Sequence, residues 1–232
     1  MAGATGAIGR VLCRLLLEDG WRVVGTSRST ERSEDLRSLG VEPAIVDVFD
    51  REALIGAVAR ARPEVVVHQL TDLPKALSPS SMAAARAGNA RIREIGTENL
   101  VAAATLAGAR RLVAQSIAFA YAHGPQPYPE EADLDITTWP SVATLEALVL
   151  GGPLEGIVLR YGRLYGPGTW FDAPSGKAPL HVDAAADAAR RAVVLGRHGI
   201  YNIAEDDGTV TSAKARADLG WDPDFRVACS RV

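Results

Sequence analysis

Apolar positions along this chain switch repeatedly between two spacings. In "RVLCRLLLED" (10–19) they recur every three or four residues, which predicts a helix ending at Gly20. "WRVVGTS" (21–27) and "VEPAIVD" (41–47) are short β-rich runs. "REALIGAVARA" (51–61) returns to helical spacing, and "EVVVHQL" (64–70) reads as a strand with a continuous apolar centre. A long Ala-rich helix is expected from about Ser81 to Ala107, followed by the strand "RRLVAQS" (110–116). Helix and strand then alternate through "VATLEALVL", "GIVLRYG", "DAAADAARRAVVL" and "GIYNIA". Strands apolar on both faces and separated by helices predict an α/β fold, a doubly wound parallel sheet with right-handed crossovers. Two Gly/Pro-rich stretches, "AHGPQPYPEE" and "YGPGTWFDAPSGKAP", break the rhythm and read as loops lining a site.

The first ten residues, "MAGATGAIGR", place Gly3, Gly6 and Gly9 just ahead of the first helix. That spacing suits a dinucleotide loop. Gly3 permits a tight turn, Gly6 a close approach of backbone N–H groups to a pyrophosphate, and Gly9 close packing of the helix on the sheet. A helix-capping turn without a ligand would not need three glycines. At the end of the next strand, Gly25-Thr26-Ser27-Arg28-Ser29 offers no acid for ribose hydroxyls. A guanidinium between two hydroxyls suits a 2′-phosphate, so NADP(H) is expected over NAD(H), with Arg10 as a second contact. A solvated surface arginine is the alternative for Arg28. Asp47 is placed either to accept from the adenine amine or to cap the next helix, a role for which Asp50 competes.

Composition narrows the partners. Of 232 residues 47% are hydrophobic, and the net charge of -3 is spread over mixed signs. This excludes no enzyme class and gives no reason to expect nucleic acid or an anionic membrane surface. Cys13 and Cys229 are too few for a disulfide framework or a thiolate metal site, so no metal is expected. With no apolar run of spanning length and no signal-peptide pattern, a cytoplasmic monomer or homodimer acting on a small molecule is expected.

These residues resemble the short-chain dehydrogenase/reductase superfamily, in its extended or atypical branch related to NAD-dependent epimerase/dehydratases. The matching stretches are "GATGAIGR", "DVFD", "VVVHQL", "GTENLVAAA", "RRLVAQS", "LRYGRLYGPGT", "HVDAAADAA", "GIYNIAEDD" and "LGWDP". They cover most of the chain in order. The resemblance implies a single NAD(P)-binding Rossmann domain over 1–232, with a sheet of about seven strands in the order 3-2-1-4-5-6-7. A small C-terminal substrate lobe would be built from about 123–140, 166–182 and 204–232. Cofactor contacts are implied at Gly3, Thr5, Gly6, Ala7, Ile8, Gly9 and Arg10, and at Ser27, Arg28, Asp47 and Val48. Further contacts are implied at Gln69, Leu70, Ser116, Tyr161 and Leu164. His181-Val182-Asp183 resembles a hinge into the lobe rather than a metal site.

The resemblance fails where the family does its chemistry. A Tyr-x-x-x-Lys pair usually moves the proton and is followed by Glu eight residues after the Tyr. Glu146 resembles that Glu, which puts Thr138 at the Tyr position and Val142 at the Lys position. Anchoring on Tyr121 places Ile117 at the usual Ser, with Ser116 one residue early. Three readings follow. The first is a ketoreductase of a small apolar or aromatic carbonyl compound that takes its proton from water, from substrate, or from Ser116, Tyr121, His123 or Tyr161. The others are a non-catalytic NADP-binding regulator and a nucleotide-sugar epimerase or dehydratase. Trp139, Trp170 and Phe171 suit a flat ring, and Lys177 alone offers little to a diphosphate. The two-residue lead-in to the glycine loop and the short stretches 173–180 and 207–212 are expected to mark omitted segments of the gene product. A minimal enzyme with a vestigial first strand is the alternative.

Overall fold

The computed structural model describes residues 1–74 and 78–228, without the side chains of 79 and 80. Cys229 and the last residues of the expected lobe, 229–232, lie outside the described residues.

Helix α1 (Ala7–Glu18) leads to strand β1 (Val24–Ser27), α2 (Glu31–Ser38), β2 (Glu42–Ile45) and α3 (Arg51–Ala61). Strand β3 (Val65–His68), α4 (Pro79–Arg91), α5 (Thr97–Leu106) and β4 (Arg111–Ile117) follow. Then come α6 (Pro140–Leu150), β5 (Glu155–Tyr161), β6 (Arg163–Tyr165) and β7 (Pro179–His181). The chain closes through α7 (Val182–Val194), β8 (Gly199–Ile203) and α8 (Ala213–Leu219).

The main sheet is parallel, as the alternation predicts, in the order β2-β1-β3-β4-β5-β8. Its halves are joined through Ala2, which bridges Thr26 on one side and His68 on the other. The Ala2 amide donates to Val67 O at 2.8 Å, and Gln69 N donates to Ala2 O at 2.8 Å. One residue therefore stands in the centre of the expected 3-2-1-4-5-6-7 order.

Strand alternation divides the core between the two faces. Val67, Val113, Ile157 and Leu159 pack with α1 and α7, whereas Val66, Leu112 and Val158 pack with α3, α5 and α6. The Ala-rich stretch 184–189 of α7 is wholly buried, so α1 approaches it closely. A third apolar cluster, Ala118, Ala178, Ala204 and Val210, joins Tyr121 and Tyr128 beyond the sheet's carboxyl edge. Strands β6 and β7 pair in parallel beside it.

The expected single helix from Ser81 to Ala107 is interrupted. Between α4 and α5 the chain makes a π-helical turn, Ile92–Gly96. Its wider hydrogen bonding cannot be read from apolar spacing, and such turns are frequent at functional sites.

Candidate active site

The glycine loop lies at the carboxyl edge of the sheet. Gly3 has φ +89°, and a Cβ there would stand 2.3 Å from Gln69 O. A Cβ on Gly9 would stand 2.1 Å from Gly3 O, so the first turn of α1 rests directly on the loop. At Gly6, the N-cap of α1, nothing but Gly3 O at 3.4 Å meets an added Cβ, and no side chain caps the helix. The exposed first turn is thus left for an anion. Ala7 and Ile8 belong to this turn, with Ile8 buried in the core, and Thr5 precedes the N-cap in the loop.

Beside the loop, Gln69 is buried and donates from Nε2 to Tyr161 OH at 3.1 Å. Its Oε1 is buried and has no partner among the described residues. A buried acceptor of this kind needs a donor, which a dinucleotide's hydroxyl or carboxamide can supply. The cradle at Gly6 and this unsatisfied oxygen together fit an NAD(P) molecule. Burial raises the Tyr161 pKa above the ordinary phenol value.

Other expected contacts are distributed along the same edge. Ser27 is buried, its hydroxyl donating to Ser29 O at 3.0 Å, while Arg28 is exposed beyond it. Arg10 pairs with Asp35 at 2.9 Å. Asp50 caps α3 by accepting from Ala53 N at 3.0 Å. Asp47 accepts from Phe49 N at 3.0 Å, so the capping role falls to Asp50. Val48 packs in the core, and its carbonyl accepts from Asn99 Nδ2. Leu70 is half-buried, and its amide donates to His68 Nδ1 at 3.2 Å. Leu164 packs from β6 against the α1 side of the core.

The two proton-donor candidates are bound into a buried network. Ser116 Oγ donates to Glu146 Oε1 at 2.7 Å. Glu146 pairs with Arg160, which also donates to Tyr121 OH at 2.8 Å and to Glu130 O at 3.0 Å. Tyr121 in turn donates to Asn202 Oδ1 at 2.6 Å, and burial raises its pKa. At the expected Tyr and Lys positions, Thr138 N donates to Asp135 Oδ1 at 3.1 Å, and Val142 is wholly buried. His123 is exposed in its loop. His181 caps α7, its Nδ1 accepting from Asp183 N at 3.1 Å.

Aromatic groups stand around the crevice. Trp139 meets Phe119 edge-on at 5.9 Å. Trp170 donates its indole N–H to Pro74 O at 2.8 Å, tying the 166–171 loop to the segment after β3. Phe171 is exposed.

Residues 1–202 match the family described as "NAD dependent epimerase/dehydratase family". The chain belongs to that family. It is accordingly an NAD(P)-dependent enzyme of the short-chain dehydrogenase/reductase type. A "3-diazoavenalumate denitrifying reductase" from Streptomyces sp is 42% identical over 235 residues, covering 89% of this chain and 75% of the relative. A UDP-glucose 4-epimerase from Mycolicibacterium smegmatis is 33% identical over 59% of this chain and 44% of its own length. Among solved structures, the UDP-glucose 4-epimerase of Thermotoga maritima with UDP-glucose superposes at TM-score 0.77, with 18% identity over 97% of this chain and 93% of that one. The Thermus thermophilus UDP-glucose 4-epimerase with NAD gives 0.77 at 20% identity, over 97% and 94%. Among the described residues no helix is long and apolar enough to cross a membrane.

One half-buried cation was not singled out by the sequence. Arg93, in the π-helical turn, is half-buried and close enough to His68 for its charge to be felt there. No local pattern marks it, because the turn that carries it packs against α6, a helix distant in the chain.

Proposed function

We propose that this protein is an NADPH-dependent reductase that delivers hydride to carbon without a protein group relaying a proton. Its proposed acceptor is a diazo-bearing aromatic carboxylate reduced with loss of dinitrogen. The observation that carries the reading is the pair Thr138 and Val142 at the family's Tyr and Lys positions. A threonine hydroxyl does not ionise near neutral pH, and a buried valine carries no charge. Carbinol oxidation, the opening step of sugar epimerisation, needs a base at that place, so the epimerase reading is disfavoured. The chemistry a reduced nicotinamide supplies when bound is a hydride, whose electron pair forms the new C–H bond while the C–N pair leaves with N2, so that no proton is consumed.

The relative's name supports this directly, since it describes a diazo compound reduced with loss of nitrogen. Of the proton sources the ketoreductase expectation allows, Ser116 and Tyr121 donate elsewhere, leaving water, substrate, His123 or Tyr161, whereas loss of dinitrogen on hydride transfer needs none of them. We assign the chain's own groups as follows. Gly3, Gly6, Gly9 and the first turn of α1 hold the pyrophosphate. Arg28, flanked by Ser27 and Ser29, takes the 2′-phosphate and favours NADPH. Gln69 orients the nicotinamide end through its unpaired oxygen. Trp139, Trp170 and Phe171 exclude water and bear on the ring. The proposed substrate lobe comprises 123–140, 166–182 and 204–228. Positioning alone can carry much of the rate when no proton has to move.

The test is incubation with NADPH and a diazotised amino-hydroxycinnamate, following cofactor consumption and nitrogen release. One NADPH should be consumed for each dinitrogen released. Interconversion of UDP-glucose and UDP-galactose without net cofactor change, or ketone reduction with the diazo compound inert, would overturn the reading.

A further inference from the structure

We infer that Arg93 is a substrate-binding residue whose guanidinium takes the carboxylate of the acceptor. Three observations converge on this side chain.

First, it is a cation without a counterion. Arg93 is half-buried, yet among the described residues no hydrogen bond or ion pair reaches it, and burial lowers its pKa. The other two deeply placed guanidiniums are both satisfied. Arg111 holds Glu155, Ala192 O and Leu195 O, and Arg160 holds Glu146, Tyr121 and Glu130 O. Nearby acids do not serve Arg93. Glu94 is exposed, and Glu98 pairs with Arg51 at 3.6 Å. Its nitrogens are not among the buried unpartnered atoms of the described residues, so the fork stays open to a ligand that supplies the missing anion.

Second, its place is the site. The π-helical turn packs against α6, the helix that carries Val142. The turn is tied to the end of β3: Thr97 Oγ1, which donates to Ile92 O at 3.3 Å, lies 3.1 Å from Nε2 of His68, the last residue of that strand, at the carboxyl edge where Gln69 and the glycine loop meet. Helix α5, which continues from this turn, lies on the face of the sheet opposite α1. The pyrophosphate cradle and the turn that carries Arg93 therefore lie on opposite faces of the sheet, so the cofactor's phosphates do not account for Arg93.

Third, the chemistry matches. The site has lost the lysine cation of its family at Val142. A planar guanidinium selects a carboxylate by two parallel hydrogen bonds, where a neutral hydroxyl would leave its charge uncompensated. A carboxylate held on the β3 side would orient an aromatic acceptor along the wall of Trp139 and Trp170.

The inference rests on the proposed reductase reading for its substrate class, so the test uses binding rather than turnover. With NADP+ saturating, 4-hydroxycinnamate and its methyl ester are titrated calorimetrically into wild type, Arg93→Gln and Arg93→Lys. Wild type should bind the acid more tightly than the ester. Arg93→Gln should weaken the acid by roughly 10- to 150-fold, leave the ester little changed, and leave NADP+ affinity within about twofold. Arg93→Lys should recover part of the loss. Removing an unpaired charge should not lower the melting temperature, which separates binding from misfolding. A wild type without acid-over-ester preference, equal losses for acid and ester, or a loss confined to NADP+ would each overturn the inference. Absence of nitrogen release alongside Arg93-dependent acid selectivity would overturn the reaction and leave this binding role standing.

Discussion

Arg160 and Glu146 form a two-pronged ion pair, Nε to Oε1 at 2.9 Å and Nη2 to Oε2 at 2.7 Å, with both side chains almost fully buried. The pair joins α6 to β5 and holds Ser116, Tyr121 and the carbonyl of Glu130 around it. Removing one partner strands the other charge. Glu146→Gln should therefore lower unfolding free energy by about 3–5 kcal/mol, measured by denaturant titration. A loss below about 1 kcal/mol would mean that water reaches the pair.

Ser116→Ala and Tyr121→Phe separate structure from chemistry. A residue that relays the reacting proton contributes about 10²–10⁴-fold to turnover. Because both hydroxyls are committed to the Glu146–Arg160 network, each variant should keep kcat within about tenfold on a competent substrate. A drop of a thousandfold with the melting temperature unchanged would restore that residue as the proton donor.

Arg28 is the proposed reader of the 2′-phosphate. Losing one hydrogen bond to a charged group costs roughly 1.5–3 kcal/mol, so Arg28→Ala should weaken NADPH by roughly 10- to 150-fold. NADH should change far less. Dissociation constants for both, at one fixed salt concentration, decide the matter. Equal losses would mean that Arg28 only supports the loop.

The loop glycines should divide in their effects. Gly9→Ala puts a Cβ 2.1 Å from Gly3 O and should destabilise the fold itself. Gly6→Ala meets only Gly3 O at 3.4 Å, so the melting temperature should hold while NADPH affinity falls. Equal affinity for Gly6→Ala and wild type would argue against a pyrophosphate there.

His68 predicts a pH dependence. Its Nδ1 accepts from Leu70 N, which places the ring proton on Nε2, opposite Thr97 Oγ1 at 3.1 Å. Burial, with the Arg93 charge adding to it, lowers its pKa from 6.5 to about 4. Below pH 6.5 the unfolded chain takes up a proton that the folded one refuses. Stability should be full above pH 6.5 and should fall by up to about 3 kcal/mol as pH drops toward 4. His68→Asn should flatten that slope, as followed by urea midpoints across the range.

Local pattern was enough for the elements of the sheet and for the glycine loop. Apolar spacing in 10–19 and 51–61, and the continuous runs around Val66 and Val158, report burial on one or two faces, which is what defines a helix or strand in such a sheet. The departures at Thr138 and Val142 were equally legible, because they are single positions measured from Glu146. Spatial partners were not. Glu146 and Arg160 are fourteen residues apart, and Tyr121 meets Asn202 across 81. Nothing local to Ser116 or Tyr121 states that its hydroxyl is spoken for. The π-helical turn at Ile92–Gly96 changes hydrogen bonding without changing the apolar pattern. The packing of that turn against α6, and the absence among the described residues of an acid paired with Arg93, are set by segments distant in the chain.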